Sequence, residues 1–555
     1  MNQVMRRLNR RTLAGKLEEL ATNTGSRPAV FFEHGQLTYA ELDDRARQIG
    51  RALRANGIGR GDNIGILLGN TPDWLSICFG AFYAGATVVP FNTWYKKTEL
   101  DFTLGHCDIT LLFFSPRFLS QDFAQMLGEL MPRWPTQDRY PLLRKIVSLG
   151  DTVPGIEDWD SFLRAADQYA EADMFVTRER AQPDDIAFIL YTSGSSAEPK
   201  GVMLNHRNVL RNGTRMAERR NIVADDRIWL GSPLFYGLGA TNALPVVLAA
   251  GASLVLQNHF DAGEAVDLIS RTQATGFYGT GNMARAMLDH PNFSKSKVST
   301  LQKGNAGTTP QYKQMVLVEL GVSQASSVYG LTESYGNATV GRHDDPLEVK
   351  INTCGTPLTG MEIKIVDPDT FRPVKCGDTG LVLIRGRTTP GYFRNPKESQ
   401  HALLADGYLN TGDLGSIDDQ GRFIFASRLK DVIKSGGINV SPLEVERILV
   451  SHPDIKDAHV VGLQDDARGE IIIAFITGDL EVHETEVQHY VKTRAASFKV
   501  PHHVFWRMEE RLPRLASGKI DKRFLIEEAA RLLESATDLP AGRSNNAAIS
   551  TGSAS

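Results

Sequence analysis

At 555 residues the chain exceeds what one hydrophobic core usually organises, so at least two domains are expected. A net charge of −4, with 61 basic and 65 acidic residues, lacks the basic excess of a nucleic-acid-binding protein. Four scattered cysteines (Cys78, Cys107, Cys354, Cys376) without a C-x-x-C fit a reducing compartment and exclude a cysteine zinc site.

In chain order, Met5 to Arg11 is basic but has no apolar signal core and soon meets Glu18 and Glu19, so a solvated first helix is expected. Thr38 followed by Glu41 is a capping box, opening a helix whose apolar residues recur through Ile49 and Leu53. Ile64–Leu68 and Thr87–Pro90 read as buried strands around an apolar helix from Trp74 to Tyr83. The apolar run from Ile77 to Phe91 is broken by Gly80, Gly85 and Pro90, and no run reaches the length of a membrane span. A cytoplasmic protein is expected.

Ile186–Tyr191 is a strand by length and branching, and Val202–Leu204 is a second apolar run. Between them lies Thr192-Ser193-Gly194-Ser195-Ser196-Ala197-Glu198-Pro199-Lys200-Gly201, whose hydroxyls, backbone N–H groups and lysine suit phosphate oxygens. It is not the Gly-Lys-Ser/Thr nucleotide loop, which opens a helix, and a plain hairpin turn is the bland alternative. Strand–helix units recur at Ser253–Leu256, Thr275–Tyr278 with a helix from Asn282, and Gln324–Tyr329. Alternating strands and helices predict an α/β architecture of layered sheets and helices. After about Leu358 the strands Met361–Val366 and Gly380–Arg385 mark a β-rich subdomain. A small α+β C-terminal domain starts near Leu429, with strands His459–Leu463 and Ile471–Ile476 and helices over Glu484–Ala496 and Asp521–Ser535. The division expected is 1–428, 429–535 and a disordered tail at 536–555, rich in Ala, Ser, Gly and Asn.

Five further stretches carry candidate chemistry. Tyr329-Gly-Leu-Thr332-Glu333 exposes a hydroxyl and a carboxylate after a strand, although a capped helix start would look the same. The others are Gly304-Asn-Ala-Gly307, Asp413 in a Gly-bounded turn, Arg428-Leu-Lys430 with Ser435-Gly436-Gly437, and Lys519 behind Ser517-Gly518. Together with the Ser/Thr loop they run in fixed order from about Leu37 to Arg523. The whole resembles the adenylate-forming superfamily of acyl-CoA synthetases, luciferases and adenylation domains.

That resemblance implies roles. Thr192 to Ser196 and Lys200 would form the phosphate loop. Gly307, Tyr329, Asp413 and Arg428 would bind AMP, with Tyr329 stacking on adenine and Asp413 accepting from the ribose hydroxyls. Thr332 would bond phosphate, Glu333 would hold Mg²⁺ and Lys519 would stabilise the anion as pyrophosphate leaves. Lys430 would be the hinge of a mobile small domain, and Ser435, Gly436 and Gly437 would line the coenzyme A channel. ATP or AMP (or an acyl-adenylate), Mg²⁺ and coenzyme A are the implied cofactors.

Pro233-Leu-Phe235-Tyr236-Gly237-Leu-Gly239 lacks the aspartate that holds an amino acid, and has Tyr236 where acyl-CoA synthetases usually have His. Phe235, Tyr236, Gly237, Gly279 and Gly304 would border the acyl pocket, which Gly239, Gly276 and Gly281 would also keep roomy, for a bulky or medium-chain acid. Ala197 stands where the family normally has Gly. A full acyl-CoA ligase is expected. The alternatives are an enzyme performing thioester formation alone on an adenylate from an upstream adenylating enzyme, and a non-catalytic adenylate or coenzyme A binder. Whether the chain forms a homodimer is left open.

Overall fold

A computed structural model describes residues 11–134, 139–171, 180–192, 199–435, 438–465, 469–515 and 520–537. The expectations for Met5–Arg10 and for the tail beyond Thr537 lie outside the described residues. The α/β expectation holds, and the chain separates into two compact units, Met1–Phe425 and Ala426–Ser555.

The first unit contains two large sheets. One has the order Lys200–Asn205, Ile186–Thr192, Thr87–Pro90, Asn63–Leu67, Ile109–Phe114, Lys145–Ser148, Glu157–Asp158. Its strands are parallel except the first pair, which is an antiparallel hairpin with Thr192 opposite Lys200. The second sheet runs Thr356–Pro357, Thr339–Val340, Ser326–Tyr329, Lys303–Gly307, Gly276–Tyr278, Arg227–Leu230, Ser253–Leu256, Pro28–Phe32, Gly35–Thr38. It is parallel in the middle and antiparallel at both edges.

One apolar cluster joins the two sheets through the helices Tyr39–Ala55, Pro72–Ala84, His206–Arg220 and Leu244–Ala250. The capping box forms as expected, with the Thr38 hydroxyl accepting from the Glu41 N–H and the Glu41 carboxylate accepting from the Thr38 N–H. Pro72–Ala84 starts with proline in its first turn and ends on Gly85 at φ 89°, the usual asymmetry of helix ends. Apolar on nearly all sides, it is buried over eleven consecutive residues from Trp74 to Ala84.

The β-rich expectation corresponds to a four-stranded sheet, Glu362–Val366, Gly380–Arg385, Leu409–Ile417, Phe423–Arg428. In the second unit, Ile438–Val440, Ile433–Ser435, Gly469–Thr477 and Asp457–Asp465 form a sheet with His503–Trp506 beside Gly469–Thr477. The helix expected over Glu484–Ala496 stops at Lys492. There Thr493 Oγ1 and Arg494 Nη1 donate to the Tyr490 carbonyl, side chains competing for the terminal acceptors. Among the described residues no helix is long and apolar enough to cross a membrane.

His206 opens the helix after the hairpin and is fully buried. Its Nδ1 accepts from the Leu13 N–H at 3.4 Å and its ring meets Phe82 edge-on at 4.7 Å. Burial pulls its pKa down to about 3. Relative to an ordinary histidine, the unfolded chain gains a proton near pH 6.5 while the folded chain does not until about 3. The stability from neutral His206 is therefore complete above pH 6.5 and drains as pH falls from 6.5 to 3, by up to about 1.4 kcal/mol per unit. Urea unfolding at pH 7.5 and 5.0 should show His206→Phe losing about 2 kcal/mol less across that interval than the unmodified chain. An identical pH dependence would contradict the buried neutral state.

Candidate active site

In an open parallel sheet the strand carboxyl ends face one edge, and loops leaving them converge there. Four candidate segments leave the second sheet this way: Pro233–Gly239 after Arg227–Leu230, Gly279 after Gly276–Tyr278, Gly307 at the end of Lys303–Gly307, and Thr332–Glu333 after Ser326–Tyr329. Sequence reading found these segments by spelling. Topology explains why they meet.

Thr332 and Glu333 lie in a 3₁₀ turn, Thr332–Ser334, that ends on Tyr335 at φ 57°. A left-handed tyrosine is strained, and the buried face of the helix His206–Arg220 holds it in place. Asn212, wholly buried on that helix, donates from Nδ2 to the carbonyls of Ser334 (3.3 Å), Tyr335 (2.8 Å) and Asn337 (2.9 Å). The Tyr335 hydroxyl accepts from the Asn205 N–H, and Asn212 Oδ1 accepts from Arg387 Nε at 3.0 Å. Burial, with Arg215 and Arg211 nearby, pulls the Arg387 pKa down to about 10. Asn212 had no motif to mark it. Its partners lie 122 to 175 residues away in the sequence.

Glu333 is half-buried, and its Oε1 accepts from the Tyr392 hydroxyl at 2.9 Å. Its backbone carbonyl accepts from the Thr389 N–H. Burial first, then the Glu333 charge, holds the Tyr392 phenol well above its usual range, so it stays a donor. Lys200 pairs with Glu398 and lies 5.6 Å from the centre of the Tyr392 ring. The Lys200 hydrogen bond keeps the Glu398 carboxyl below its usual range. The segment Thr389–Ser399, which sequence reading passed over, thus reaches both Lys200 and Glu333. Its Gly391-Tyr392 and Asn395-Pro396 turns were the available signals. Ser193, Gly194, Ser195, Ser196 and Ala197 lie outside the described residues.

Tyr329 and Asp413 are brought together: the phenol donates to Asp413 Oδ2 at 2.8 Å, with both residues buried. The Tyr329 ring packs against Phe423 at 4.4 Å and stacks on Phe425 at 5.9 Å. Gly307, at φ 81°, stands opposite Ser327 on the neighbouring strand.

Phe235 is buried and Tyr236 half-buried, and both rings contact Trp94, at 5.4 and 5.6 Å. Asn92 donates to the Tyr236 hydroxyl, and burial raises that phenol to about 12. Trp94 and Asn92 were missed, although both lie within four residues of the end of the strand Thr87–Pro90.

The expectation that glycines leave a roomy pocket narrows here. A β-carbon on Gly279 would lie 2.6 Å from the Phe277 ring, and one on Gly304 (φ 121°) 2.2 Å from the Phe277 carbonyl oxygen. The space vacated by these two side chains is filled by core and strand packing. At Gly237 a β-carbon would approach Thr332 Oγ1 at 3.1 Å, a tight contact, so this glycine lets its segment lie close against a candidate site residue.

In the second unit, Lys430 lies in the exposed 3₁₀ turn Leu429–Asp431 directly after Arg428, and Ser435 is buried at the end of Ile433–Ser435. Gly436, Gly437 and Lys519 lie outside the described residues.

Comparison with known proteins gives the family. The chain matches "AMP-binding enzyme" over residues 17–393 and "AMP-binding enzyme C-terminal domain" over 444–519. It belongs to the AMP-binding enzyme family, the adenylate-forming superfamily that its motifs resemble.

The 3-((3aS,4S,7aS)-7a-methyl-1,5-dioxo-octahydro-1H-inden-4-yl)propanoyl:CoA ligase of Rhodococcus jostii is 32% identical over 525 residues, 93% of this chain and 98% of that one. The ligase of the same name from Mycobacterium tuberculosis is 32% identical over 527 residues, 93% and 99% of the two chains. Among solved structures, the anthranilate CoA ligase AuaEII in complex with anthranoyl-AMP superposes with a TM-score of 0.82 at 26% identity, covering 94% of this chain and 98% of that chain.

Proposed function

We propose that this chain is an AMP-forming acyl-CoA ligase acting on a bulky or medium-chain carboxylic acid through an acyl-adenylate. The observation that carries the reading is the convergence, in one unit, of the Thr332–Glu333 turn with Lys200 and Tyr329 at strand ends, Tyr329 being bonded to Asp413 in the middle of Leu409–Ile417. Its relatives' names support the chemistry. Two join a bicyclic propanoic acid to coenzyme A, and a third was solved with an aromatic acyl-AMP.

Two half-reactions follow. In the first, the acid's carboxylate oxygen attacks the α-phosphorus of ATP, and the bond to pyrophosphate breaks. Lys200 and the Ser/Thr loop hold the phosphates, while Lys519 offsets the charge that builds up. Asp413 and Arg428 fix the ribose, and Gly307 and Tyr329 the adenine. In the second, the coenzyme A thiolate attacks the acyl carbon and AMP leaves, with Lys430 as the pivot and Ser435–Gly437 bordering the thiol's route.

The residues at Glu333 fit Mg²⁺: Oε2 makes no hydrogen bond among the described residues, and the Thr332 hydroxyl is a second hard oxygen donor. Bound there with the nucleotide phosphates, the ion would neutralise phosphate charge.

Ala197 supports a second reading, in which the first step is impaired, severely if its methyl clashes with the nucleotide phosphates, and a separate adenylating enzyme supplies the intermediate. A β-carbon where a loop needs φ > 0 costs roughly 1–2 kcal/mol, about tenfold in rate. Acid-dependent exchange of labelled pyrophosphate into ATP tests this. Exchange with a bulky acid supports the full ligase. Its absence across the acids, with thioester still formed from a supplied adenylate, would select the second reading.

A further inference from the structure

Lys200 ends the hairpin opposite Thr192, where the chain leaves and re-enters the Ser/Thr loop. A lysine waiting for a triphosphate would be expected to stand in solvent. Instead its side chain is 13% exposed and already neutralised by Glu398.

The arrangement around that pair is rigid on the carboxylate side. Glu398 sits in the first turn of the short helix Pro396–Ala402, where Asn395 Oδ1 accepts from the Glu398 N–H at 3.1 Å. The next residue, Ser399, accepts from the Tyr392 N–H at 2.8 Å and donates to the Asn395 carbonyl at 2.8 Å. Tyr392 supplies the ring beneath the ammonium and sends its hydroxyl to Glu333. One stretch, Tyr392–Ser399, therefore holds an internal anion against the phosphate-loop cation and ties the same assembly to the metal-binding candidate.

We propose that Glu398 is an internal competitor for the ATP phosphates: it occupies Lys200 until nucleotide displaces it, and so sets the ATP requirement of adenylation. This rests on the reading of Lys200 as a phosphate ligand. The triphosphate, with more charge than one carboxylate, takes the ammonium; Glu398 is released to solvent. The pair also keeps Lys200 aligned along the Tyr392 ring, so exchange needs only a short movement of its flexible stem. Glu398 acts through Lys200 and is a positioning residue.

The test is a set of variants assayed by ATP–pyrophosphate exchange and by equilibrium binding of Mg-ATP: Glu398→Gln, Lys200→Met and the double variant. Glu398→Gln keeps the side chain's size and removes its charge. It is expected to lower the KM and dissociation constant for ATP about three- to tenfold, the range set by a half-buried ion pair, with kcat for adenylation within about twofold. In the Lys200→Met background the same substitution is expected to have no effect on ATP affinity, because no cation is left to unmask. A general loosening of the site would change kcat and persist in that background. Weaker ATP binding in Lys200→Met together with unchanged or weaker binding in Glu398→Gln would overturn the competitor role alone. Undiminished ATP binding in Lys200→Met would instead strike the underlying reading of Lys200.

Discussion

Replacing Lys519 by alanine is expected to lower adenylation roughly a hundred- to a thousandfold while thioester formation from a supplied acyl-adenylate stays within about threefold. The physical reason is that negative charge accumulates only when the carboxylate attacks the α-phosphorus and pyrophosphate departs. A fixed cation there is stronger in the transition state than in the ground state, which is the condition for accelerating a step. Once the adenylate exists, the thiolate attacks carbon and that cation has no comparable task.

A neighbouring lysine provides the contrast. Lys522 donates to Glu446 Oε1 at 2.7 Å and to the Val460 carbonyl at 3.0 Å, so it holds the second unit's helix Lys522–Thr537 to its sheet. Lys522→Ala should lower stability and affect both half-reactions alike. The two half-reactions measured separately check this, and an equal fall in both for Lys519→Ala would remove its assigned role.

The second large effect is expected at Asn212. One buried amide serves three carbonyls of the turn that carries Thr332 and Glu333, and its oxygen serves Arg387. Asn212→Ala leaves those groups buried without their donor or acceptor. At about 1–3 kcal/mol for each buried group that loses its partner, roughly 3 kcal/mol or more of stability should go. Pyrophosphate exchange should fall about ten- to a hundredfold, since a displacement of the turn of the order of an ångström moves Thr332 and Glu333 off their targets. Asn212→Asp keeps the shape and the acceptor for Arg387 but presents oxygen to three carbonyl oxygens, so it should not rescue the turn. A urea midpoint like that of the unmodified chain for Asn212→Ala would contradict this account.

The contrast between Thr38 and Asn212 shows what a sequence makes legible. Thr38 and Glu41 cap a helix three residues apart, and the box forms as its spelling predicts. Ile186–Thr192 and Lys200–Asn205 pair as a hairpin because the apolar runs are local and the loop between them is short. Thr332, Glu333 and Asp413 stand out as candidates by order and spelling. Their surroundings were not, because Lys200 meets Glu398 across 198 positions and Asn212 meets Arg387 across 175. Such pairings have no period and no fixed spacing. The glycines mislead for a related reason. Sequence shows that a side chain is missing at Gly279 and Gly304, whereas only packing shows that Phe277 fills the space.

The most direct test of the central claim is a mass-spectrometric assay of acyl-CoA. A panel of bulky and medium-chain acids is supplied with ATP, Mg²⁺ and coenzyme A, and in parallel as synthetic adenylates with coenzyme A alone. The account predicts acyl-CoA from both routes for at least one bulky acid, with AMP released in equal amount. No thioester from either route across the panel would contradict it.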